Sequence, residues 1–183
     1  MSEENIIQHC SPTLAGLKSA AMFSTPFTTR SEAINALIRL NSSVCPMGLK
    51  AILLRYRGQK ALIYIYRPDM LSRELERPDA LELLRSRGYC FRDLDEAIAE
   101  LVERVDKCPS IPHEIGLFLG YPPEDVKGFI ENNATCYKCR GYWKVYGDEE
   151  KAKCLFSKYF ECTRSYMERY RNGAGLDSLI IPA

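Results

Sequence analysis

The chain has 183 residues, with 25 Lys+Arg against 24 Asp+Glu, a net charge of +1, and 46% hydrophobic residues. Such a length and balance describe a single globular domain, 1–183, and exclude a disordered or fibrous chain. Near-neutral charge argues against a general nucleic-acid binder, whose affinity comes mainly from neutralised phosphates.

In chain order, Ser11-Pro12 reads as a helix start, with Leu14, Leu17 and Ala21 at helical spacing and Pro26 as the stop. A second helix is expected from about Ser31, with Ile34, Leu37 and Ile38 as its apolar stripe. Leu49 to Arg57 and Lys60 to Arg67 flank Gly58-Gln59 and predict a β-hairpin, about 49–67. Asp69 to Glu76 and Pro78 to Arg87 read as short helices, and Asp93 to Asp106 as a clearer one. Two more short helices, about His113 to Leu119 and Pro123 to Asn132, lie around Gly120-Tyr121-Pro122. A strand is expected at about 141–146, then a long amphipathic helix capped by Asp148. The fold class is α+β, helices around a small, largely antiparallel sheet.

Four segments could carry chemistry. Cys10 stands just before the expected helix start, where backbone N–H groups and the helix dipole favour a thiolate. Of the two histidines, His113 is the better partner, because the side chain of His9 points away from Cys10 in an extended segment. The order of an early Cys and a His about a hundred residues on resembles papain-type thiol enzymes, without their local signature. The competing reading is that Cys10 is a small buried hydrophobe.

The second segment, residues 113–132, has the spacing of a helix-turn-helix, but Glu124, Asp125 and Glu131 against Lys127 alone would repel phosphate. An αα-hairpin used for packing fits that charge pattern better. The third is Cys136-Tyr137-Lys138-Cys139, half a zinc site, with Cys154 and Cys162 poorly spaced to complete it. The fourth is the hairpin's basic and aromatic set, Lys50, Arg55, Arg57, Lys60 and Arg67 with Tyr56, Tyr64 and Tyr66, which reads as an anion surface or as protected sheet edges. No phosphate-cradling glycine loop, Gly-x-Ser-x-Gly elbow or His-Glu-x-x-His helix is present.

His9-Cys10-Ser11-Pro12-Thr13-Leu14-Ala15-Gly16-Leu17-Lys18, Pro112 through Asn132, and Gly141-Tyr142-Trp143-Lys144-Val145-Tyr146 together resemble a bacterial family known as domain of unknown function 3793. The resemblance covers essentially the whole chain and brings no assigned activity. It marks the Cys10 and His113-Glu114 segments as family signatures and so as one candidate site. It does not extend firmly to the Cys136 and Cys139 pair.

The expectation is a thiol-dependent enzyme or redox sensor, with Cys10 as nucleophile or redox centre, His113 as its base, and Glu114 or Gln8 as orienting group. The alternative is a protein- or nucleic-acid-binding module using the hairpin 113–132. No cofactor is expected, and metal is expected only in the alternative at Cys136 and Cys139. The partner is expected to be a small molecule or protein ahead of nucleic acid. No apolar run approaches the roughly 20 residues of a membrane helix, and Met1-Ser2-Glu3-Glu4-Asn5 lacks a basic secretory start. A cytoplasmic protein with eight free thiols is therefore expected.

Overall fold

Ser2, and not Ser11, starts the first helix. In the computed structural model, which describes residues 1–182, α1 spans Glu3–Leu14, and the Ser2 hydroxyl accepts from the Asn5 N–H. Glu3 and Glu4 complement the dipole in its first turn. Pro12 therefore lies inside the last turn, and Cys10 sits well past the helix start. The segment read as the rest of that helix is β1, Ala20–Pro26.

Next come α2, Arg30–Val44, β2, Lys50–Arg57, and β3, Lys60–Tyr66. The expected hairpin is present, and Gly58 and Gln59 both take positive φ at its turn, the geometry that matches strand twist. Strand order is β1-β3-β2, all antiparallel, with an irregularity between Leu53 and Arg55 on β2. The central strand β3 is buried from Ala61 to Tyr66. The third strand is thus β1, while the expected strand at about 141–146 narrows to β5, Lys144–Val145, paired with β4, Cys139–Arg140, in a separate ribbon.

The remaining helices are α3, Pro68–Leu75, α4, Pro78–Ser86, α5, Leu94–Lys107, α6, Ile115–Phe118, α7, Pro123–Glu131, and α8, Glu149–Arg171. The α+β fold is thus a three-stranded sheet between two helical layers. One face buries Ala21, Phe23, Ile63 and Ile65 against α1, α2 and α8. The other buries Leu54, Leu62, Tyr64 and Tyr66 against α3 to α7. No helix among the described residues is long and apolar enough to cross a membrane.

Arg67 locks the layers together. It is 5% exposed. Its Nε donates to Thr13 O at 2.6 Å, and its Nη2 to Leu14 O at 2.7 Å and Ile181 O at 2.6 Å. These carbonyls end α1 and the C-terminal tail, so one guanidinium serves a helix terminus that has no basic residue of its own. Arg55 and Arg57 do the same for α5, donating to the carbonyls of Val105, Asp106 and Cys108. With Tyr64, Tyr66 and Arg67 buried, most of the basic and aromatic hairpin set is engaged internally.

Replacing Arg67 with Met should lower unfolding stability by about 3 kcal/mol, because three carbonyls lose a charged donor. Arg67→Lys should recover only part of this, since an ammonium lacks the planar fork. Urea unfolding followed by far-UV circular dichroism checks both, and an unchanged midpoint for Arg67→Met would refute the anchoring role.

Candidate functional site

The α1–β1 loop turns through Gly16 and delivers Lys18 and Ser19 into the interior. Pro12 O accepts from the backbone N–H groups of Leu17 and Lys18, and Ser19 O accepts from that of Arg67. Lys18 is 7% exposed. Its Nζ donates to Ala20 O at 2.7 Å and lies 5.1 Å from the centre of the Tyr121 ring. Burial lowers its pKa from 10.5 to about 8, although Cys10 and Glu74 nearby pull it back up.

Behind Lys18 the α1–β1 loop, α3 and the α6–α7 turn converge. At Gly120, φ is +69°, and an added Cβ would collide with Ser19 Oγ and stand 2.9 Å from Glu74 Oε2. Only glycine allows this approach. Ser19 Oγ, Glu74 Oε2 and Thr13 Oγ1 are all buried without a well-formed hydrogen bond. Burial raises the Glu74 carboxyl pKa, opposed by the neighbouring Ser19 hydroxyl and by Lys18.

Lys18 opens on a cavity of about 600 Å³, whose polar lining includes Gln8, His9, Thr163, Arg164 and Arg171. No carboxylate among the described residues lines it. His9 is held flat against Phe23, with centroids 5.4 Å apart. A second cavity of about 370 Å³ lies beyond, lined by His113, Phe129, Arg140, Trp143 and Lys144 among others. Tyr121 and Tyr142 line both. Tyr121 is the partition: its ring stacks on Trp143 at 4.9 Å, and its hydroxyl donates to Tyr142 O at 3.3 Å.

The acid at the second cavity is spent on structure. Asp125 is 3% exposed and accepts from Trp143 Nε1 at 2.7 Å and from the backbone N–H groups of Tyr146 at 2.6 Å and Gly147 at 2.7 Å. It fastens the β4–β5 ribbon onto α7 and fixes the indole in the cavity wall. Of the acids assigned to an exposed recognition helix, then, Asp125 faces inward, and only Glu124 and Glu131 are at the surface beside Lys127. Gly116 and Val126 pack so closely that an added Cβ would meet Val126 Cγ2 at 2.8 Å, so 113–132 is a tight packed pair of helices.

The expected Cys10 and His113 pair does not assemble. Cys10 is fully buried in the core on the α1 face of the sheet, with its thiol pKa pushed up by burial from 9.0 to about 12. Inside a helix its neighbouring N–H groups are already bonded along the chain, so the dipole gives a thiolate no free donors. The cation near it is Lys18. His113 packs edge-on against Phe129, centroids 5.0 Å apart, in the layer on the opposite face. Glu114 is buried and turned to Arg87 at 3.6 Å and Arg104 at 4.0 Å. Its role is to tie α6 to the segment after α4. Cys139 is on the ribbon and Cys136 in the segment before it, and no group of three or more potential ligands could hold a metal among the described residues.

A family model described as a protein of unknown function, DUF3793, matches residues 6–180. The chain belongs to that family. No curated protein and no solved structure matches it. Lys18, Glu74 and Tyr121 of this DUF3793 protein were not singled out from the sequence, although Lys18 closes the first signature and Tyr121 lies in the second. The readable signal was a lysine between apolar residues, Leu17 and Ala20-Ala21, where a charged side chain has little reason to stand.

In the folded DUF3793 protein, iodoacetamide should label exposed Cys45, Cys90, Cys108, Cys136 and Cys154 and spare Cys10 until denaturant is added. Peptide mapping checks this, and labelling of Cys10 at the rate of Cys45 would contradict its burial. Asp125→Ala should cost about 2–4 kcal/mol, since three donors lose their acceptor. It should also red-shift the emission of Trp143, the single tryptophan. Unchanged emission and midpoint would refute the fastening role.

Proposed function

We propose that the protein binds a small organic anion in the two-chambered cleft divided by Tyr121. The carrying observation is that the charged side chains lining the larger chamber, Lys18, Arg164 and Arg171, are all basic, and that of these only Arg164 is ion-paired among the described residues, with Glu161. Cations around a low-dielectric cavity attract an anion more strongly than the same cations in water. The smaller chamber adds the rings of Phe129, Tyr142 and Trp143, with Arg140 and Lys144 at its wall, which suits a flat ring attached to the charged group.

This reading replaces a site centred on the thiol with one centred on the cavity that the same signature segments line. His9 and Lys18 come from the first, His113 and Tyr121 from the second, and Tyr142 and Trp143 from the third. A nucleic-acid partner is less well supported, because the exposed face of α7 pairs its single cation, Lys127, with Glu131 at 3.9 Å. A cytoplasmic setting agrees with eight cysteines that are all free thiols.

Trp143 fluorescence and thermal shift provide the test. Aromatic carboxylates and nucleoside monophosphates should raise Tm and change Trp143 emission, while the matching neutral compounds should do neither. Arg171→Glu, at the exposed end of α8, should weaken the best anion 10- to 100-fold with little change in Tm of the free protein. Equal response to neutral compounds, or full affinity in Arg171→Glu, would overturn the proposal.

A further inference from the structure

Within that anion site, on whose reading this step rests, the geometry points to Lys18 as a carbonyl-reactive amine that forms an imine with an anionic aldehyde or ketone.

Three features of position carry it. Lys18 reaches the cavity wall from a rigid loop, so its Nζ is held at one place by a single backbone acceptor, Ala20 O. Among the described residues it forms no salt bridge within 4.0 Å, and unlike Lys60, Lys151 and Lys158, which also form none, it is buried. A carboxyl and a hydroxyl, those of Glu74 and Ser19, are buried on the same side and face each other, with no other well-formed hydrogen bond for Ser19 Oγ or Glu74 Oε2 among the described residues. A structural lysine would ordinarily have its three donors satisfied and would stand in water. The basic rim supplies the other half of recognition: Arg171, which forms no salt bridge among the described residues, lines the same cavity and would hold the anionic group while the carbonyl faces Lys18, with Arg164 held beside it by Glu161.

The step balances without a co-reactant. The neutral amine attacks the carbonyl carbon, a C–N bond forms, and the C=O π pair moves to oxygen. The oxygen gains a proton as the nitrogen loses one, giving a carbinolamine. Loss of the hydroxyl as water, with the nitrogen pair forming C=N, leaves the imine. Solvent carries the proton that leaves with the water and the one that nitrogen gives up, while Glu74, buried behind Lys18 and outside the cavity lining, acts on the amine only through its charge.

Burial makes the amine available near neutrality, since at pH 8 about half of Lys18 is unprotonated, against about 0.3% of an ordinary lysine. The groups that face it are Cys10 and His9 of α1, Glu74 of α3, Tyr121 of the α6–α7 turn, and Tyr159, Arg164 and Arg171 of α8. The Tyr121 and Tyr159 hydroxyls are raised to about 12 and Cys10 to about 12, so they stay neutral as Lys18 titrates.

The test uses pyridoxal 5′-phosphate as an anionic aromatic aldehyde, followed by borohydride reduction and peptide mapping. At pH 8 and limiting probe, Lys18 should be labelled on the order of 100-fold faster than the other lysines. Its rate should rise through half-maximum near pH 8. Lys18→Met should abolish the imine absorbance. Non-phosphorylated pyridoxal should label Lys18 far more slowly. If the probe changes Trp143 emission and Tm but Lys18 is labelled no faster than surface lysines, the imine proposal fails and the anion site stands. If it produces neither response, the anion site fails with it.

Discussion

One guanidinium sets the geometry on which the site depends. Arg67 leaves β3 and closes on the last carbonyls of α1 and on the C-terminal tail. The helix end cannot then fray, and the loop that follows must turn at Gly16 and re-enter the core. The backbone N–H of the same residue bonds to Ser19 O, so the turn is held from both sides. A buried charge is expensive unless every donor finds an acceptor, and here helix carbonyls fill that need where a carboxylate usually would. Lys18 occupies its place because the five residues between α1 and β1 have almost no slack.

The second constraint is the sheet between the helical layers. The layer of α1, α2 and α8 and the layer of α3 to α7 meet beyond the β1 edge, and there the Tyr121 ring stands between Lys18 and Trp143. Asp125 holds the indole from one side, and the closeness of Gly120 to Ser19 and Glu74 holds the loop from the other. The larger chamber thus has walls from both ends of the chain, while the smaller is built within residues 111–144. That arrangement suits a ligand whose ring and charge must be separated by a fixed distance. It also explains why 113–132 has helix-turn-helix spacing without a reader's charge: the close helices serve to present Tyr121 and His113 to a cavity.

Most of the fold was legible in the sequence because local signals agreed with tertiary packing. The Gly58-Gln59 turn, the Asp93 and Asp148 caps, and the prolines at Pro68, Pro78 and Pro123 each mark an element that the structure contains. The first 26 residues misled because two signals competed. Ser11-Pro12 has the chemistry of a helix start, yet Ser2 with Glu3 and Glu4 has it as well. Burial of Ile6, Ile7 and Cys10 favoured the earlier cap, and Pro12 is tolerated in the last turn. Ala20-Ala21 has little intrinsic preference for strand, and pairing with β3 alone makes it one. That error displaced the site, since Cys10 drew attention through a helix terminus that lies elsewhere.

The unsatisfied polar atoms then locate what the sequence hid. Among the described residues Ser19 Oγ and Glu74 Oε2 lie together at Gly120 behind Lys18, while Thr13, Tyr89, Glu114 and Tyr146 supply the rest. Keeping the Lys18 ammonium buried there costs about 3 kcal/mol at neutral pH, since its pKa falls from 10.5 to about 8. The cost is largest below pH 8, where the folded chain must hold the proton, and it fades as pH rises from 8 to 10.5, where the unfolded chain still binds it. Its hydrogen bond to Ala20 O and its place beside the Tyr121 ring offset part of that cost. A buried charge with one backbone acceptor, near a buried carboxyl and at the wall of a cavity whose other charged lining is basic, is the pattern expected where binding supplies what folding leaves unmet.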